Sequence, residues 1–264
     1  MTDFTTLALH IDGPVARIWL NRPEMRNAID DVFIRELAEA FTQAQAADGV
    51  RAVVLGGRGP AFCAGANLNW MKRAASFTPE QNLQDAAGLP RMLRTLADSR
   101  LPVIARIQGD VYAGGMGLVS VCDVAISADS AHYCLSEVKI GLIPATISPY
   151  VIRAMGARAA QRYFLTAERF TAAEAHRVGL VHEVVPADVL DARVDEVLKN
   201  ILAAAPGAVA ESKRLLRDVT GRPIDEDLAA ETVRRIAALR ASEEGQEGLR
   251  AFLEKRKPAW TQAR

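Results

Sequence analysis

The sequence predicts an α/β fold with a helical last quarter, on three observations. Short β-branched runs alternate with amphipathic helical stretches, glycine-rich turns join the two, and beyond about Pro186 the strand signals stop. Residues 6–11 and 15–20 flank Asp12-Gly13 and predict a hairpin. Residues 31–47 set Phe33, Leu37, Phe41 and Ala44 at helical spacing, with Asp30 or Asp31 as N-cap. Residues 51–55, ending in Gly56-Gly57, read as a buried strand, as do 102–107 and 123–127. Residues 68–75, 80–96 and a small-residue stretch after Gly114 read as helices. Strands separated by helices need crossover connections, so the pairing is expected to be mostly parallel. Residues 189–205, 208–219, 226–239 and 246–255 are amphipathic, with Pro206 and Pro223 between them. Helices with so little of their own to wrap often pack against a neighbouring subunit.

The chain has 264 residues, enough for one large α/β domain or a core with a helical appendage. Lys plus Arg equals Asp plus Glu, 32 of each, so no net field argues for nucleic acid or an acidic membrane. The stretch from Met1 to Phe4 carries Asp3 and shows no basic leader before an apolar segment. No apolar run approaches the roughly 20 residues that span a bilayer. Cys63, Cys122 and Cys134 are odd in number and scattered, which suits reduced thiols in a cytoplasm.

Three segments carry chemistry. Residues 59–68 hold Ala64-Gly65-Ala66-Asn67-Leu68 between a strand and a helix, where small side chains let a ligand approach the backbone N–H groups. A tight turn with no ligand is the alternative. Residues 108–118 repeat the arrangement around Tyr112-Ala113-Gly114-Gly115-Met116-Gly117. That run fits neither the dinucleotide fingerprint nor a phosphate-binding loop. Two such turns suggest a pair of donors converging on one oxygen. Residues 134–145 place Glu137 in an apolar stretch bounded by Gly141 and Pro144. A carboxyl there either pairs with a cation, such as Lys139 or an arginine, or is kept desolvated for proton transfer. A G-x-S-x-G elbow is absent, and His10, His132, His176 and His182 never stand at metal-ligand spacing; His132 reads as a strand residue.

Taken together, these segments resemble the crotonase superfamily of enoyl-CoA hydratases and isomerases over essentially the whole chain. The matching pieces are Leu20-Asn21-Arg22-Pro23-Glu24, Ala64 to Leu68, Gly109 to Gly117, Ser136-Glu137 with Gly141-Leu142-Ile143-Pro144, and Ala251-Phe252-Leu253-Glu254-Lys255-Arg256. The resemblance implies a ββα spiral core over residues 1–200 and a helical oligomerisation region over 201–264, making homotrimers or dimers of trimers. It implies an acyl-CoA thioester as substrate and no cofactor beyond the coenzyme A that the substrate carries. It implies that the N–H groups of Ala66 and Gly114 form an oxyanion hole and that Glu137 moves the proton. Coenzyme A would lie near Arg26, Ala28, Ala64 and Ala66, with Asn67, Leu68, Tyr112 and Gly117 also counted among the residues that bind substrate or coenzyme. Phe252 and Lys255 match positions that complete the coenzyme site, commonly of an adjoining subunit.

Two-glutamate hydratases carry a second glutamate where this chain has Gly117. The segment around Gly117 and residues 136–149 look like the bacterial methylglutaconyl-CoA hydratase branch, which hydrates branched, carboxylated thioesters. Gly117 would then make room for a β-methyl or carboxyl group, and Lys72, Arg73, Lys139 or Arg153 would meet the extra charge. Tyr112 or Asn67 could hold water in place of the missing carboxylate. A single-glutamate Δ3,Δ2-enoyl-CoA isomerase, and a non-catalytic scaffold binding acyl-CoA or RNA, are the alternatives.

Overall fold

The computed structural model describes residues 4–261, so Met1–Asp3, on which the absence of a leader was argued, lie outside it. Among the described residues the strands are β1 Leu7–Asp12, β2 Val15–Leu20, β3 Ala52–Gly57, β4 Ala61–Cys63, β5 Val103–Ile107, β6 Asp110–Tyr112, β7 Val124–Ala128, β8 His132–Cys134, β9 Phe170–Thr171 and β10 Glu183–Val185. They form a six-stranded sheet in the order β1-β2-β3-β5-β7-β10 and a four-stranded sheet in the order β4-β6-β8-β9. The hairpin β1–β2 is antiparallel, with Gly13-Pro14 as its two-residue loop, one position later than the sequence suggested. The later neighbours in the large sheet, β2 to β3, β5, β7 and β10, all pair in parallel.

The helices explain the parallel order. They are α1 Asp31–Ala46, α2 Leu68–Ala74, α3 Pro79–Ala86, α4 Gly88–Ala97, α5 Gly114–Ser120, α6 Ser148–Thr166, α7 Ala172–Arg177 and α8 Leu190–Ala203, followed by α9 Pro206–Val219, α10 Glu226–Ala241 and α11 Glu243–Leu253. A long strand joins the large sheet, the next short strand joins the small one, and helix follows: β3-β4 then α2 to α4, β5-β6 then α5, β7-β8 then α6. This is the ββα spiral of the crotonase fold. The single helix expected over residues 80–96 is two, broken at Ala87. Pro90 has no N–H to offer Ala86, and its ring would collide with that carbonyl if α3 ran on.

Asp30, not Asp31, caps α1 by accepting from the Phe33 N–H. The inner core lies between the two sheets and the helices α1, α4 and α5, with Phe33, Leu37, Leu55, Phe62, Leu93, Ile107 and Met116 fully enclosed. The opposite face of the large sheet is covered by Leu190, Val194 and Leu198 of α8. That helix therefore belongs to the core although its sequence reads like the terminal layer. α9, α10 and α11 bury only Leu228 and Ala251 and expose Leu216, Val233, Phe252 and Leu253. No described helix is long and apolar enough to cross a membrane.

α11 is tied back to α9 by one carboxylate. Glu244 accepts from the N–H groups of Gly207 and Ala208, at 2.9 and 2.8 Å, in the first turn of α9. That turn has no side-chain cap of its own. Glu244→Ala is expected to lower stability by about 1–2 kcal/mol, read as a shifted denaturant midpoint, because two helix-end donors lose a charged acceptor.

Candidate active site

Three short strands decide where the chemistry can be. β4 pairs in parallel with β6, and β6 with β8, so all three run the same way. Their carboxyl ends, Cys63, Tyr112 and Cys134, therefore open on one side of the small sheet, the outer two about 10 Å apart at the usual strand spacing. Residues 64–67 leave the first end, Ala113-Gly114 the second, and Leu135-Ser136-Glu137 the third.

The first turn is clamped to the chain after β2. The Ile29 N–H donates to the Gly65 carbonyl and the Asn67 N–H to the Ile29 carbonyl, both at 2.7 Å, while the Ala64 N–H reaches the Arg26 carbonyl at 2.9 Å. Gly65 has φ +86°, and a Cβ there would stand 2.9 Å from the Ala113 methyl, so only glycine lets the two turns touch. In the second turn the Ala113 N–H donates to the Cys134 carbonyl at 2.9 Å. Ala113 itself takes φ 46°, ψ −116°, a costly conformation for a residue with a side chain. Between these ties the N–H groups of Ala66 and Gly114 donate to no protein acceptor among the described residues. Gly114 opens α5, where the first N–H groups have no helical partner.

Glu137 opens a one-turn 3₁₀ helix, Glu137–Ile140. It is partly buried, forms no ion pair among the described residues, and its Oε2 is enclosed without any hydrogen-bond partner. Lys139, the cation nearest in sequence, points to solvent. Burial pushes the Glu137 carboxyl above its ordinary 4.5, only partly offset by its own backbone N–H. Of the two readings open at the level of sequence, the desolvated acid is the one realised.

Asn67 is 5 % exposed and engaged through both its oxygen and its nitrogen. Its Oδ1 caps α2 through the Asn69 N–H, and its amide donates to Asp30 at 3.3 Å. It caps α2 and links that helix to Asp30. Asp30 also receives Arg22 at 2.6 Å, with both side chains largely enclosed. Burial alone would raise Asp30, yet Arg22 and the Phe33 N–H hold it below its ordinary value. The Tyr112 phenol is raised by burial and faces Arg169, Asp110, Cys134 and Arg26.

The expectation for Gly117 is corrected. A Cβ on Gly117 would lie 2.4 Å from Cγ2 and 3.0 Å from Cβ of Ile147, and 3.4 Å from Leu93 Cδ1. The room expected for an acyl branch is filled by these two side chains. Arg26 is exposed in a left-handed conformation, Ala28 is buried, and Leu68 is exposed at the start of α2. Phe252 is 81 % exposed, and Lys255 follows α11 with φ 55°. Neither is folded into the core of its own chain. Two clefts open elsewhere, one of about 360 Å³ bordered by Ile34, Trp70 and Met92, the other along α6 and α7; neither includes Glu137, Ala66 or Gly114. The Arg22–Asp30 pair, the strain at Ala113 and the packing of Ile147 escaped the sequence reading, and only the first left a trace there, as an N-cap.

A ββα spiral with two donor turns and a desolvated carboxyl at one strand end defines a crotonase-superfamily enzyme. The comparisons agree. Residues 10–263 match the model of the enoyl-CoA hydratase/isomerase family. An enoyl-CoA hydratase from Shewanella pealeana superposes with a TM-score of 0.95 at 42 % identity, covering 97 % of this chain and 96 % of that one. AtuE of Pseudomonas aeruginosa does so at 0.93 and 37 %, over 98 % and 100 %. The mevalonyl-coenzyme A hydratase sidH of Aspergillus fumigatus is 33 % identical over 245 residues, 91 % of this chain and 89 % of its own. The chain belongs to the enoyl-CoA hydratase/isomerase family and is an enzyme of its hydro-lyase class.

The folded protein holds the Glu137 proton more tightly than the unfolded chain does. Stability is therefore full below the unfolded value near 4.5 and falls as pH rises through the higher folded value. Glu137→Gln is expected to match the parent in denaturant midpoint at about pH 4 and exceed it at about pH 8. Gly117→Ala is expected to cost about 1–3 kcal/mol in the same measurement, since the added methyl must displace Ile147.

Proposed function

We propose that the chain adds water across the 2,3 double bond of an enoyl-CoA thioester, with Glu137 as the only carboxylate that moves a proton. The unpaired, enclosed Oε2 of Glu137 carries this reading. The thioester oxygen accepts from the Ala66 and Gly114 N–H groups, which stabilise the negative charge that develops there; one such donor is worth roughly 3 kcal/mol in other enzymes. Glu137 takes a proton from water as the water oxygen bonds to C3, and returns that proton to C2 as the enolate collapses. One water is consumed and the carboxylate is regenerated. The raised pKa suits a group that must both accept and give a proton.

Coenzyme A is the handle of the substrate, lying along Arg26, Ala28, Ala64 and Ala66, and no further cofactor is needed. The exposure of Phe252 and Leu253 supports their meeting an adjoining copy in a homotrimer or dimer of trimers, with Phe252 and Lys255 closing that copy's coenzyme site. The acyl group is of the branched, carboxylated methylglutaconyl type. Support for this comes from the likeness of residues 117–120 and 136–149, and no longer from space at Gly117. Of the four candidate cations Arg73 is engaged by Asp31, whereas Lys139 stands two residues from Glu137 and is exposed. The three buried free thiols support a reducing compartment such as the cytoplasm.

A product-identified assay with crotonyl-CoA, methylglutaconyl-CoA and a 3-enoyl thioester tests the reading. A hydroxyacyl product is expected from the 2-enoyl substrates; migration of the double bond with no hydroxyacyl product would make the chain an isomerase. Glu137→Gln is expected to lower kcat by about 10²–10⁴-fold while acyl-CoA binding survives.

A further inference from the structure

The segment that carries Glu137 does not leave the site after Gly141. It passes through buried Pro144 and returns at Ile147, where α6 begins and packs against α5. Ile147 is 1 % exposed, and its Cγ2 methyl takes the place that a side chain on Gly117 would need. Leu93 of α4 closes the same point from another direction. Gly117 lies three residues beyond Gly114 in α5, on the same helix face and one turn deeper. α4 faces that stripe, since Leu89 approaches Gly114 as Leu93 approaches Gly117. Ile147 and Leu93 thus make an apolar floor at Gly117, one turn along α5 from the Gly114 N–H.

We infer that Ile147 is a specificity-determining residue of this site, setting how much bulk at C3 of the acyl group the cleft admits. Its β-branched side chain is stiff about χ1 and cannot fold aside as a longer chain would. It also keeps the space beside Gly117 apolar. The inference rests on the proposed hydratase reading only for where the acyl group lies. One methylene more or less in such a contact is worth about 10–200-fold in discrimination.

Binding separates the two ideas, because saturated thioesters cannot be hydrated. Kd is measured for butyryl-CoA and 3-methylbutyryl-CoA with the full-length parent, Ile147→Val and Ile147→Ala. The preference is expected to move toward the 3-methyl ligand by about 10-fold in the alanine variant and by less in the valine variant. An unchanged ratio in variants with the parent's circular dichroism overturns the inference, and the valine variant alone decides if the alanine one does not fold. A parent that hydrates no enoyl-CoA sinks the hydratase reading but leaves this ratio to be read.

Discussion

The shared direction of β4, β6 and β8 is the constraint on which the site depends. Each strand is three residues long, too short to stand alone, and each is held by its neighbour and by the longer strand that precedes it. Because the pairing is parallel, three chain segments far apart in sequence emerge at one edge. The donor turns and the carboxyl are then neighbours by topology, whatever side chains surround them. The large sheet supplies the leverage: β3 is buried along its whole length, so the strand-to-strand step to β4 cannot shift without disturbing the core.

Charge is handled differently on the two sides of this edge. Behind the first turn, the Asp30 carboxylate accepts from both Arg22 and Asn67 and so ties the end of residues 64–67 to the chain after β2. Glu137, by contrast, has no counterion among the described residues, and its Oε2 is enclosed without a hydrogen-bond partner. A hydrogen-bonded network adds rigidity, whereas an enclosed carboxyl oxygen without a partner carries a cost in stability.

Much of this was legible in the sequence, because periodicity and turn chemistry are local. The hairpin, α1 with its aspartate cap, the buried strands and the two glycine turns could be read directly. The break at Ala87 had a visible cause in Pro90, and the capping role of Asn67 was available from its place before Leu68. β4, β6, β8 and β9, of two or three residues each, are shorter than any period that could reveal them. Whether Glu137 was paired depended on which side chains the fold brought near, and the filling of Gly117 joins positions thirty residues apart. Such contacts belong to tertiary structure, and no local pattern encodes them.

Ala113 holds a left-handed backbone with a methyl group attached, fixed by its bond to Cys134 and by the contact with Gly65. A relaxed turn would have to be ordered anew each time a thioester arrived, and part of the binding free energy would go into that ordering. Here the fold has already met the cost during folding, so the turn that carries the Gly114 amide is ordered before any ligand enters and little entropy remains to be lost there.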